Sequence, residues 1–245
     1  MDILSSLYEY FFSYTGMGAL GFLLCIVVSM LLFYKCKLEP VKFLFLFLCS
    51  VIPVYLGAKL FGILSLAVFK ARSFLPFTLE DVKNAGIVFY GGLFAYLLYM
   101  RTVLPLFEKK NRFRVYNFSV LLAPLFHGFA RIGCYCAHCC YGIISDRIFF
   151  SSFYEHRIPV QLIEAGFELF FFLILGCTLI RRKSRRLCVW RIYLYGYSAF
   201  RFIIEFFRGD EIRGFIGPLS FSQWLAIAVI LLLLSTHKKK GVLLS

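Results

Sequence analysis

Residues 126–142 read FHGFARIGCYCAHCCYG and gather Arg131, His127, His138 and the cysteines Cys134, Cys136, Cys139 and Cys140 at the end of an apolar segment. A guanidinium offers planar bidentate donors to oxyanions, an imidazole moves protons near neutral pH, and thiolates take soft metals or exchange disulfides. A charge at membrane depth is tolerated only where it has a partner or ligand, which makes Arg131 the first candidate functional residue. The second stretch, YLYGYSAFRFIIEFFRGD over 193–210, repeats Tyr193, Tyr197, Arg201, Glu205 and Arg208 at helical spacing. Those side chains are expected on one helix face, turned to protein or a polar cavity. Arg131 and Arg201 set against one carboxylate, Glu205, leave positive charge over, and a phosphate is the anion whose oxygens fit guanidinium donors. An Arg201–Glu205 salt bridge that only locks helices together is the competing reading of that pair.

Two further segments add polar groups to apolar surroundings. In IVFYGGLFAY (87–96), Gly91 and Gly92 permit close backbone approach and Tyr90 brings a hydroxyl to membrane depth. In RIPVQLIEAGFE (157–168), Gln161, Glu164 and Glu168 are spaced to share a helix face. Glu164 could equally serve the positive end of that helix dipole.

These residues need a scaffold, and the composition says which kind. Hydrophobic residues make up 61%, aromatics 20% and charged residues only 16% of the 245 residues, too little polar surface for a soluble fold. The expectation is an all-α integral membrane protein forming one domain over 1–245. Apolar windows of about 20 residues predict seven spans near 16–34, 43–69, 86–107, 118–136, 158–180, 187–207 and 219–235. The N-terminus carries Asp2 and Glu9 and no basic residue before Lys35, so it lacks the positive region of a cleaved signal peptide, and the first apolar segment is read as a retained span.

The net charge of +14 falls in clusters between apolar segments, with no stacking platform or recognition motif, which argues for membrane topology and against nucleic acid. Sixteen Lys and Arg lie in the connections after spans one, three and five and in the C-terminal tail, against seven on the opposite side, Lys70, Arg72, Lys83, Arg147, Arg157, Arg208 and Arg213. The positive-inside rule then puts the N-terminus outside and the C-terminus in the cytoplasm. Under that topology Arg131 and Arg201 approach the outer halves of their spans. Arg101 is read as a snorkelling anchor, and Lys59 in YLGAKLFG as either functional or a structural ion partner. Cys25, Cys49, Cys177 and Cys188 stand singly in apolar helices and are read as small buried hydrophobes.

Taken together, RIG with Gly142 downstream, the YGGL turn, the PxQLxE segment and above all YGYSAFRFIIEFFRGD followed by LSFSQWLAI resemble the prolipoprotein diacylglyceryl transferase family over about 57–227. The resemblance implies a bacterial cytoplasmic-membrane enzyme that moves the diacylglyceryl group of phosphatidylglycerol onto the lipobox cysteine of a prolipoprotein. It implies substrates in the bilayer (the phospholipid and the prolipoprotein signal peptide) and no soluble cofactor or metal. Arg131 matches the arginine of the family signature, and Arg201, Tyr197 and Glu205 match its helix arginine, tyrosine and glutamate. Arg131, Arg201, Glu205 and Tyr90 are the expected catalytic set. Arg131, Arg201, Tyr197, Gln161, Glu164, Cys134 and Cys139 are the expected substrate contacts. The chain departs from the family pattern in carrying Cys134, Ala137 and Cys139 where the signature has Asn, Asn and Glu, and Tyr90 where it has a histidine. His127 or His138 could supply a displaced base, with a purely structural role as the competing reading of each, and a different lipid donor or acceptor is the alternative within the family. Outside it, the cysteines could act as a metal or thiol-redox cluster. A transporter is disfavoured by the lack of an inverted repeat.

Overall fold

The computed structural model describes residues 12–145, 156–181, 188–210 and 214–242. Among the described residues the chain is almost wholly helical: α1 (Tyr14–Lys35), α2 (Pro40–Cys49), α3 (Val51–Arg72), α4 (Leu79–Asn84), α5 (Phe89–Phe107), α6 (Arg112–Val120), α7 (Leu122–Cys136), α8 (Val160–Arg181), α9 (Val189–Ile204) and α10 (Phe221–Val242), with a two-residue hairpin β1 (Phe215–Ile216) and β2 (Leu219–Ser220). Four helical stretches are long and apolar enough to cross a membrane: Tyr14–Lys35, Pro40–Ala71, Arg112–Cys136 and Val160–Arg181. An all-α membrane protein is thus what the sequence builds. Leu23, Leu31, Leu56, Phe170 and Leu173 are exposed along these helices, as apolar side chains facing lipid would be.

Two expected spans are each built of two helices, and proline explains both breaks. Proline lacks an N–H and its ring clashes with the carbonyl four residues earlier. Pro53 lies four residues after Cys49, where α2 ends, and Pro124 four residues after Val120, where α6 ends. The next residues, Ser50 and Leu121, keep helical dihedrals at ψ −17° and −23°, so each pair of helices follows on without a loop. Of the basic residues counted for orientation, Arg147, Arg213 and those at 182–186 lie outside the described residues, as do Asp2 and Glu9.

The chain divides into two compact units, the first comprising Met1–Ile52, Tyr96–Leu187 and Phe207–Asp210, the second Pro53–Ala95, Cys188–Phe206 and Glu211–Ser245. In the first, α7 packs between α1 and α8, and small residues set the spacing. A Cβ on Gly21 of α1 would lie 2.7 Å from Phe129, and one on Gly128 of α7 2.9 Å from Leu169 of α8, so larger residues would push the helices apart. Phe33 stacks on Phe43 with ring centroids 4.2 Å apart and meets Phe118 at 6.2 Å. Arg101 is exposed, as an anchoring role requires.

In the second unit, α9 packs on α10. Gly57 of α3 and Gly91 of α5 face each other so closely that a Cβ on Gly57 would stand 2.5 Å from the Gly91 carbonyl oxygen. The Gly91–Gly92 pair therefore serves backbone approach. Lys59 donates to the carbonyls of Lys83 at 2.8 Å and Ala85 at 2.5 Å, placing its charge on the negative end of α4. This answers the open reading of Lys59 in favour of structure. Gly217, at φ +62°, turns β1 into β2 and delivers Ser220 to the start of α10.

Candidate functional site

Within the first unit, α7 contributes His127 and Arg131 one turn apart, and α8 contributes Glu164 and Glu168 one turn apart. Arg131 Nη2 forms an ion pair with Glu164 Oε2, and His127 Nδ1 lies 2.8 Å from Glu168 Oε1. The result is a two-rung polar ladder between neighbouring helices, buried at every member: Arg131 is 6%, Glu164 1%, His127 7% and Glu168 0% exposed. Gly128, next to His127 on α7, faces Leu169 and the Ala165 carbonyl of α8, and its lack of a side chain lets the two helices approach. Burying one of these charges alone would carry a large desolvation penalty, so each rung depends on its partner.

The chain then turns back over the upper rung. The N–H of His138 donates to Tyr135 O at 3.1 Å and that of Cys139 to Cys134 O at 3.1 Å, the paired bonds of a Schellman C-cap. His138 occupies the left-handed position at φ 51°, where glycine is usual, and Cys140 repeats that conformation at φ 56°. The double turn returns two thiols to the helix they left: the sulfurs of Cys134, Cys139 and Cys140 lie within 4.8 Å of one another. Arg131 Nη1 donates to Cys134 Sγ at 3.5 Å, and Gln161 Nε2 to the Cys139 carbonyl at 2.8 Å. The Cys140 thiol is held below the ordinary thiol range by hydrogen bonds from the Cys134 and Cys139 thiols, with the Arg131 and Arg208 charges acting in the same direction. Cys134, Cys136, Cys139 and Cys140 are all free of disulfides.

The loop is tied down further by Gly142, which bridges to Arg208, while the Gly209 N–H donates to Tyr141 O at 2.9 Å. A Cβ on Gly209 would stand 2.6 Å from Gly142 O, so this crossing requires glycine. Arg157 Cζ sits 4.3 Å from the Tyr141 ring centroid, and the side chain donates to Gly142 O at 3.2 Å.

The second unit holds the other polar set. Tyr193, Tyr197, Arg201 and Glu205 are all buried, at 0%, 2%, 6% and 2% exposure, which bears out their common face. Arg201 Nη2 pairs with Glu205 Oε2 at 2.6 Å within one helical turn. Tyr90 donates its hydroxyl to Ser198 Oγ at 3.2 Å, and its ring lies 5.1 Å from that of Tyr197. Below them, Ser220 and Gln223 form a capping box: Ser220 N–H donates to Gln223 Oε1 at 2.9 Å and Gln223 N–H to Ser220 Oγ at 3.3 Å. Gln223 also reaches Phe202 O of α9 at 3.3 Å. The LSFSQW segment is therefore a helix start joined to the helix that carries Arg201.

Several expectations are corrected by this geometry. The excess of positive charge disappears, because Arg131 is matched by Glu164 and Glu168 is buried beside it. Glu164 and Glu168, near the start of α8, face inward and supply the negative charge. Glu164 serves this ion pair and not the helix dipole. Arg208 leaves the α9 face, because the 3-10 turn Glu205–Phe207 ends the helix. It meets Asp210 instead, at 2.8 and 2.5 Å. The His127–Glu168 pairing, the engagement of Ser198 and the capping role of Gln223 were missed. The first was readable from i, i+4 spacing on two neighbouring helices, and the last from S-x-x-Q before an apolar run.

A family model described as prolipoprotein diacylglyceryl transferase matches residues 7–237. Among curated relatives, a Clostridium tetani protein is 32% identical over 169 residues, covering 64% of this chain and 65% of that protein. One from Clostridium perfringens is 31% identical over 178 residues, covering 66% of each, and one from Bordetella avium is 31% identical over 196 residues, covering 74% of this chain and 71% of that protein. The chain thus spans just under two thirds of the length of the two clostridial relatives. Those from C. tetani and B. avium are named phosphatidylglycerol--prolipoprotein diacylglyceryl transferase, and the C. perfringens protein carries the same name with the number 2.

Proposed function

This chain belongs to the prolipoprotein diacylglyceryl transferase family, and from that premise we propose that it transfers the diacylglyceryl group of phosphatidylglycerol to the lipobox cysteine of a prolipoprotein. The reading takes the chain as one transferase domain of the bacterial cytoplasmic membrane, crossing it in seven spans with the N-terminus outside and the C-terminus cytoplasmic. The observation that carries it is the buried Arg131–Glu164 pair on α7 and α8, with His127–Glu168 one turn below.

The chemistry asks for cations on a phosphate and a base for a thiol. The cysteine sulfur attacks the glycerol carbon that bears the phosphate ester; a C–S bond forms, the C–O bond breaks, and glycerol phosphate leaves. A guanidinium has five N–H donors, so Arg131 serves Glu164 and a phosphate oxygen together. Gln161 and the Cys134 and Cys139 segment line the headgroup beside it. His127 is assigned to take the thiol proton, with Glu168 at its Nδ1 orienting the ring, the base-and-orienter arrangement of nucleophilic catalysis. The polar set of the second unit is read by itself: Arg201 is assigned phosphate binding, Glu205 its orientation, and Tyr90 and Tyr197 phenolic contacts with a lipid headgroup.

The test is incubation of purified protein in detergent with a lipobox peptide and phosphatidylglycerol labelled in its glycerol backbone. The label is expected in the peptide through a thioether stable to reduction, with glycerol phosphate released. His127→Gln is expected to lower turnover by about 100-fold or more, the range for loss of a general base. A folded, lipid-binding protein that transfers no label would overturn the reading. A second reading, a different donor or acceptor, is favoured by the Cys134, Ala137, Cys139 and Tyr90 departures and predicts transfer only when other anionic lipids or thiols are supplied.

A further inference from the structure

The transferase reading gives no role to the third thiol of the cysteine loop. We propose that Cys134, Cys139 and Cys140 form a three-thiolate binding site for a soft d10 cation, zinc(II) or copper(I). Their sulfurs already lie within 4.8 Å of one another. A metal–sulfur bond of about 2.3 Å sets tetrahedral ligand sulfurs about 3.8 Å apart, so closure asks for movements of roughly an ångström, within the reach of a small χ1 adjustment.

The backbone is arranged for this convergence. Successive left-handed turns at His138 and Cys140, both unusual for residues with a side chain, bring two sulfurs back over Cys134. Such conformations persist where the surrounding structure requires them, and they concentrate at binding sites. Cys136, in the same stretch, is not in the triad and supplies an internal control. The hydrogen bond from Arg131 to Cys134 Sγ offsets the negative charge three thiolates would carry. The carbonyl of Cys139, held by Gln161, fixes the loop from the opposite side, as supporting bonds do around metal ligands. Three sulfurs complete a copper(I) site, whereas zinc would keep a fourth position for water.

The reduced, full-length protein in detergent is titrated separately with zinc(II) and with copper(I), each against a competing chelator, and the bound metal is read by X-ray absorption. One equivalent in a sulfur shell near 2.3 Å is expected; three sulfurs alone identify copper(I), and three sulfurs with one oxygen identify zinc. Cys140→Ser should weaken binding by more than the roughly 100-fold typical of a lost supporting residue, while Cys136→Ser should leave it unchanged. Circular dichroism of both variants separates ligand loss from unfolding. Binding of neither metal by the folded wild type would overturn the proposal, as would binding that Cys136→Ser and Cys140→Ser affect alike.

Discussion

Arg131 and Arg201 are buried to the same 6% exposure and each is matched by a glutamate, yet they reach it by different routes. Arg201 finds Glu205 one turn further on, at the C-cap of its own helix, so that pair needs no second helix. Arg131 finds Glu164 on a neighbouring helix, so its pair exists only when α7 and α8 are docked. The first is local and follows from sequence spacing. The second is tertiary, and it is also the one joined to a histidine–glutamate rung and a thiol loop. The same residue types therefore have different structural consequences: the intrahelical pair keeps one face polar, whereas the interhelical pair holds two helices in register.

The largest effect that would break this comparison is on transfer itself. Arg131→Ala and Arg201→Ala are each expected to lower label transfer by about 100- to 1000-fold, the range for removing a donor to developing negative charge. Transfer unchanged by either substitution would remove that arginine from the proposed catalytic set.

Stability should separate the two pairs. Glu164→Ala leaves Arg131 buried without its carboxylate and is expected to cost about 3–5 kcal/mol in denaturant unfolding. Glu205→Ala is expected to cost less, since the ion pair it removes lies within one helical turn and not between helices. Replacing both members, Arg131→Met with Glu164→Leu, should restore stability but not activity. Equal losses for the two single variants would remove the distinction.

A smaller effect concerns the support of α9. Ser220→Ala removes the α10 cap and should destabilise by about 1 kcal/mol, read as a lowered Tm with transfer largely retained. The smallest lies outside the membrane helices, at the start of α4. There Lys70, donating to Asp81 at 2.6 Å, together with the Thr78 backbone N–H, lowers the Asp81 pKa from 3.8 to about 2. A depressed carboxylate contributes stability above its unfolded pKa and loses it as pH falls through the folded one. Asp81→Asn should therefore lower Tm slightly near neutral pH, and the difference from wild type should vanish as pH falls from about 4 to 2.

Much of the scaffold was legible because apolar run length dictates helices in a membrane. The shared face of Tyr193, Tyr197, Arg201 and Glu205 followed from a spacing of one turn. The breaks at Ser50 and Leu121 were also written in the chain, four residues ahead as Pro53 and Pro124, but hydropathy windows average across them. What remained hidden was pairing. Spacing could place Glu164 and Glu168 on a face of α8, but only the packing permitted by Gly128 decides that this face meets Arg131 and His127. The convergence of Cys134, Cys139 and Cys140 was equally beyond pattern reading, because it depends on left-handed turns at His138 and Cys140, residues that do not announce them as glycine would.

The central claim is tested most directly by the rate of glycerol-label transfer to a lipobox peptide, measured side by side for the wild type, Arg131→Ala and the Arg131→Met/Glu164→Leu double variant. Robust transfer by the wild type and a loss of about 100-fold or more in both folded variants is the predicted result. Transfer by the stable double variant at the wild-type rate would show that the buried pair on α7 and α8 only holds the helices together, and would contradict the account.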